Sequence, residues 1–225
     1  MRIFASGWQC AECRCRATER NEIMTAKRHY EVITLNMGAY EWCCRELEKQ
    51  AAGFAPDLVV AIARGGIGVA YRMFEGVRHA VIDVHRPSTG AKRRLRPLVR
   101  LVRWLPLWLR DGLRIAEARR LDRRPPRAVV PPEENARALR EAAAGAQRIL
   151  VVDDAVDSGA SLRAVLDILE GCGAQVRTAS VAFTRLNQVA CPHYHIFEPG
   201  TLVRFPGSID ARRERPLYKK RRWWR

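Results

Sequence analysis

No apolar run in the chain approaches the ~18 residues that a membrane-spanning helix needs. The opening MRIFASGWQCAECRCRATER lacks the continuous apolar core of a secretory signal. A cytoplasmic protein is the expectation. No glycine cluster runs into G-K-[ST], so phosphate binding by a P-loop is excluded. Cys10, Cys13 and Cys15 form C-x2-C-x-C, but no second C-x2-C or His pair follows at finger spacing. Three thiols fall short of the usual four zinc ligands, so reduced cytosolic thiols are the expectation for the seven cysteines, with a metal site at C-x2-C-x-C the lesser alternative. Neither a helix-turn-helix, an appended DNA-binding domain nor an internal repeat is legible. Acids are scarce beside bases: 24 Asp and Glu against 40 Lys and Arg, a net charge of +16.

That charge is concentrated. Residues 86–127 hold 14 basic residues against 3 acids, and residues 212–225 hold 8 against 1, so the remaining chain is slightly acidic. Two basic attachments on a near-neutral body attract polyanions or acidic lipid surfaces. A length of 225 residues with 48% hydrophobic content suits one sizeable α/β domain. The organisation expected is a loosely structured leader over 1–28, with Met24 an alternative start, then a domain over 29–211 and a basic aromatic tail over 212–225.

Along the domain, YEWCCRELEKQAA spaces Tyr40, Cys43, Cys44, Leu47 and Ala51 for one helix face, with Gly53 as its stop. DLVVAIA (57–63), AVIDVH (80–85), RILVVDDA (148–155) and QVRTASVAFTR (175–185) read as strands. IGVAYRMF, PEENARALREAAAG and SLRAVLDILEGCG read as helices between them, and TLVRFPG as a last short strand. Strands alternating with helices predict an α/β fold with a mostly parallel twisted sheet. Residues 86–127 interleave Leu, Val and Trp with Arg, and Pro97 and Pro106 divide them, which predicts two short amphipathic helices.

In such sheets ligands bind at the carboxyl ends of strands. ARGG follows the first strand directly. Its glycines let backbone amides approach an anion, Arg64 adds a guanidinium, and the next helix start adds its dipole; an ordinary strand-to-helix turn would read the same. The stretch VVDDAVDSGASL is more demanding. Asp153 and Asp154 come where the apolar run stops, and paired carboxylates suit sugar hydroxyls or magnesium. Ser158, Gly159 and Ser161 then open a helix with N–H groups and hydroxyls that can cradle a phosphate. A helix cap explains one polar residue there; it leaves the three acids unexplained.

VVDDAVDSGASL resembles the phosphoribosyl-diphosphate motif of the type I phosphoribosyltransferases: apolar strand, two acids, two small or apolar residues, Asp, Thr/Ser, Gly, any residue, Thr/Ser. PDLVVAIARGG resembles that family's pyrophosphate loop, in the right order and some 90 residues upstream. The chain is similar in particular to the small bacterial and archaeal purine enzymes, with Trp42 on the early helix. The resemblance implies transfer of a phosphoribosyl group from phosphoribosyl diphosphate to a nitrogenous base, a 6-oxopurine, with Mg2+ and release of pyrophosphate. It implies that Asp153 and Asp154 bind ribose hydroxyls and, through them or water, the metal. The 5-phosphate would bind Asp157, Ser158, Gly159, Ala160 and Ser161, with Asp157 also accepting the base proton. Arg64, Gly65 and Gly66 would face pyrophosphate, and Arg185, Val203 and Phe205 the base. Homo-oligomers are expected, dimers being common in the family.

The sequence departs from that subgroup late. Arg185 stands for a Lys, PHYH (192–195) for PDYY, and FPG for FPW, departures expected at the base pocket. The basic insertion occupies the interval of the family's flexible lid. Trp104, Leu105, Trp108 and Leu109 among its arginines suit an anionic membrane, or equally the protein's own core or a partner subunit. YKKRRWWR at the end suits polyanions and unpaired bases, or solvent. Two alternatives stay open: a nucleic-acid-binding regulator that keeps the donor site, and a transferase at the membrane with a non-purine acceptor.

Overall fold

A computed structural model describes residues 30–84, 105–185 and 189–208. The cysteine motif, Met24, the leader, Trp104, the first half of the insertion and the basic tail lie outside the described residues.

The elements run β1 (Glu31–Thr34), α1 (Met37–Ala51), β2 (Leu58–Ala63), α2 (Gly65–Ala70), β3 (Arg78–Asp83), α3 (Leu107–Asp122), α4 (Glu133–Ala143), β4 (Arg148–Val156), α5 (Ala160–Leu169), β5 (Gln175–Phe183), β6 (Tyr194–Phe197) and β7 (Thr201–Arg204). Five strands form a parallel sheet in the order β3-β2-β4-β5-β6, as the alternating pattern predicts. TLVRFPG is a strand, but it leaves this sheet and pairs in parallel with β1. Neither β1 nor β6 was legible: each is four residues long, too short for a periodic signal.

Strand alternation divides the core in two. Val59, Ala61, Leu150 and Val152 face α1 and α2, where Tyr40, Cys43, Cys44 and Leu47 meet them. Leu58, Val60, Ile62, Ile149 and Val151 face α4 and α5, against Leu139, Val165 and Leu169. Each fully buried Val, Leu or Ile adds about 1.5–3 kcal/mol over exposure. Asn36 caps α1, its Oδ1 accepting from Ala39 N at 2.8 Å. The left-handed turn after this helix is at Ala55, not Gly53. Asn135 Nδ2 donates to the carbonyl of Asp83 at 2.8 Å, so the start of α4 is tied to the end of β3.

Of the two helices predicted in the insertion, the second is α3, which starts directly after Pro106. It docks on the protein itself. Ala118 and Ile115 pack with Tyr30, Val32 and Leu202 of the small sheet. Arg204, 2% exposed, donates to Asp111 at 2.6 Å and to Thr34 Oγ1 at 2.8 Å. Arg114 Nη1 donates to the Val203 carbonyl at 3.4 Å. Trp108 is 72% exposed, outside this contact. Among the described residues no helix is long and apolar enough to cross a membrane.

Candidate active site

The β2–β4 ladder stops at Ala61–Val152, while β4 continues to Val156. The two acids therefore stand inside a strand, not past its end, and point to opposite faces. Asp154 shares the parity of Leu150 and Val152 and so faces α2. Asp153 Oδ1 accepts from Asp154 N at 2.9 Å, and Asp154 Oδ1 from Ala155 N at 2.8 Å. Both side chains stay partly exposed.

The unpaired edge of β4 beyond Val152 is where the Ala63–Gly66 turn lies. A Cβ on Gly65 would fall on the Asp154 carboxylate. One on Gly66 would meet the Val152 carbonyl oxygen, with Asp153 Cα only 3.1 Å away. At Gly66 the obstacle is backbone, so no side chain fits there; at Gly65 it is the Asp154 side chain, which would have to turn away. Arg64 is exposed beside them, after a cis Ala63–Arg64 peptide. Two loops some 90 residues apart in sequence thus converge at one strand end.

Past Val156, Asp157 is partly exposed while Ser158, Gly159, Ala160 and Ser161 are buried. Gly159 has φ 73°, a left-handed conformation that glycine adopts without strain, and leads into α5. A Cβ there would also lie 2.7 Å from Ala190 N. Val189 N donates to the Ser158 carbonyl at 3.0 Å, so residues 189–190 lie over this loop.

Arg185 is 4% exposed, far from a solvated strand-end residue. Its Nε lies 3.4 Å from Asp122 Oδ1 and 3.8 Å from Asp157 Oδ1, and its Nη2 donates to the Arg124 carbonyl at 3.4 Å. Asp122 also accepts from the Tyr30 hydroxyl. Burial first, and then the Asp122 contact, hold that hydroxyl well above its usual pKa, so it remains a donor. Val203 is buried in the core, and Phe205 leans edge-on against Tyr40, ring centroids 5.9 Å apart. Burial, then Cys44 and Asp154, push the Tyr40 hydroxyl up as well.

One expectation is met only in part. Of residues 192–195, His193 and Tyr194 lie lower on the strand, His193 N donating to the Thr178 carbonyl and Tyr194 pairing with Ala179, whereas the His195 ring reaches Phe183 at the end of β5, ring centroids 5.5 Å apart. Thr178 is five residues before Phe183, about 17 Å down the strand. The reason is β6 itself, which carries PHYH along the sheet edge. Asp122, Asp111, Tyr30 and Tyr40 were missed as site residues. A signal existed for the first two: Asp111, Ile115, Ala118 and Asp122 fall on one face of a helix whose other charges are mostly arginines.

Comparison with known proteins fits this geometry. Residues 114–196 match the family described as the phosphoribosyl transferase domain. The fold is similar to a purine phosphoribosyltransferase from Pyrococcus horikoshii at a TM-score of 0.51 and 17% identity, over 84% of this chain and 99% of that one. It is also similar to a hypothetical protein from Neisseria gonorrhoeae with bound ppGpp, at a TM-score of 0.51 and 14% identity, over 82% of this chain and 94% of that one. No curated protein matches the sequence. Residues 114–196 are thus similar to a phosphoribosyl transferase domain, and the fold is that of the type I phosphoribosyltransferases.

Proposed function

We propose that this chain is a phosphoribosyltransferase that moves a phosphoribosyl group from phosphoribosyl diphosphate to a nitrogenous base, a 6-oxopurine, and releases pyrophosphate. The observation that carries the reading is the seating of Gly65 and Gly66 directly on the backbone and carboxylate of Val152–Asp154. A pyrophosphate and the ribose that bears it need sites this close.

In the transfer the bond from the anomeric carbon to the pyrophosphate oxygen breaks, a bond from that carbon to a ring nitrogen forms, and the nitrogen loses its proton. Asp154, on the face that meets the Gly65–Gly66 turn, holds ribose hydroxyls beside the pyrophosphate, while Asp153 points to the other face. Backbone N–H groups at Gly159–Ser161, with the Ser158 and Ser161 hydroxyls, hold the 5-phosphate. Arg64 and the amides of Gly65 and Gly66 receive the charge that develops on the departing pyrophosphate. Asp157 takes the proton from the base.

The donor set also suits magnesium. Such an ion is held by one or two carboxylates and otherwise by water and phosphate oxygens. Asp153 and Asp154 point to opposite faces, so either would meet such an ion singly, through ribose hydroxyls or water; among the described residues no cluster of three or more His, Cys, Asp or Glu offers a cage made by protein alone. When bound, the ion neutralises charge on the pyrophosphate. For the acceptor, support comes from the fold's similarity to a purine enzyme and from Arg185 standing 3.8 Å from Asp157, where its N–H groups suit a carbonyl oxygen of the base.

The test gives purified protein phosphoribosyl diphosphate, magnesium and a panel of bases, and measures pyrophosphate release. Xanthine, guanine or hypoxanthine should turn over. Asp157→Asn should cut turnover by about 100-fold or more while donor binding holds. Donor binding without turnover on any base would sink the reading, and an unchanged rate in Asp157→Asn would remove that residue's role.

A further inference from the structure

We propose that Asp122, on the inserted helix α3, is a positioning residue that sets where Arg185 stands for acceptor recognition. The inference rests on the transferase reading above and assigns a task to a segment that the two-loop donor site does not use.

The argument starts from burial. The Arg185 side chain is 5% exposed and that of Asp122 18%, so the pair is largely removed from water. A guanidinium buried this deeply needs carboxylate or carbonyl partners. Two of its partners come from the end of α3: Asp122 Oδ1 at Nε and the Arg124 carbonyl at Nη2. Asp122 is itself fixed, because its other oxygen accepts from Tyr30, the residue that leads into β1. The chain of contacts therefore runs Tyr30, Asp122, Arg185, Asp157, and it joins the small sheet and the insertion to the strand end that carries the chemistry.

One N–H of Arg185 lies between two carboxylates, nearer Asp122 than Asp157. Asp122 thus holds the guanidinium back from Asp157. Without that charge, the next carboxylate within reach among the described residues is Asp157, and a collapse of Arg185 onto it would take both groups away from the acceptor. Asp153, Asp154 and the Gly65–Gly66 turn lie outside this chain of contacts, so donor binding should not follow.

The test is steady-state kinetics with the acceptor that the panel identifies, each substrate varied in turn. In Asp122→Asn, acceptor KM should rise about tenfold or more, the scale of losing one charge-assisted hydrogen bond, while donor KM stays within about twofold. Asp122→Glu should recover most of the loss. Tyr30→Phe should move acceptor KM the same way by a smaller factor, and it reads the same chain should Asp122→Asn fail to fold. Equal changes in donor and acceptor constants, or an acceptor KM unmoved in both variants, would overturn the proposal. Wild-type protein with no acceptor at all would overturn the transferase reading and this inference with it, an outcome distinct from an active wild type with indifferent variants.

Discussion

Replacing Gly66 by Ala tests the meeting of the two loops directly. The added methyl would press on the Val152 carbonyl oxygen and lie 3.1 Å from Asp153 Cα and 3.2 Å from the Val152 carbonyl carbon. These are backbone atoms of a central strand, so no side-chain rotation relieves them. Restoring ordinary contact requires α2 to move away from β4 by roughly 1 Å. Overpacking of this kind costs about 1–3 kcal/mol, which lowers Tm by about 2–10 °C in a chain of this size. The same displacement carries Arg64 and both glycine amides off the pyrophosphate position, and a 1 Å misplacement is worth about 100-fold in rate. Gly53→Ala is the control, since nothing lies within 4 Å of its Cβ. Thermal melts, donor titration by calorimetry and pyrophosphate release read the three effects. A Gly66→Ala protein that melts and binds donor like wild type would refute the convergence of the loops on β4.

Two further outcomes follow from the packing. Asp111→Asn leaves Arg204 buried with a weaker partner; since Asp111 is 29% exposed, the usual cost of breaking a buried pair is discounted to about 2–3 kcal/mol, a Tm loss of about 4–10 °C. A melt within 1 °C of wild type, on the order of measurement error, would show that α3 is not held there. Burial pushes the Cys43 thiol up to about 11 and the Cys44 thiol up to about 12, so both stay protonated until pH rises past those values. In native protein at pH 8, alkylation read by mass spectrometry should mark exposed Cys172 and spare Cys43 and Cys44; labelling at equal rates would contradict their burial.

The proposed donor side of this protein is legible in sequence because its requirements are local. Asp153 to Ser161 and Ala63 to Gly66 are short contiguous stretches whose composition follows from backbone geometry: glycines where chains touch, acids after an apolar run. The acceptor side is not local. Arg185 is visible as a residue, but its partner Asp122 and the Tyr30 that holds Asp122 come from positions 63 and 155 residues away from it, and only the docking of α3 brings them together. The residues 192–195 show the same limit from the other direction. The resemblance implies a pocket, whereas pairing along β5 carries His193 and Tyr194 down the sheet edge and leaves only the His195 ring against Phe183. Strands of four residues, such as β1 and β6, bury too few alternating positions to announce themselves.

The bond from Asn135 to the Asp83 carbonyl makes the exit and return of the insertion neighbours. An excursion that starts and ends at one place is a closed ring, and the entropy of closing a ring grows only with the logarithm of its length, about 0.6 kcal/mol per doubling. Length between those roots is therefore nearly neutral for stability, and the sheet beneath does not register how much chain departs from it. What the ring must keep is α3 with its acidic stripe. A version shortened between residue 84 and Pro106 by a flexible bridge should fold with an intact acceptor side, whereas one cut back past Asp122 would lose the roof over β7 along with the basic segment.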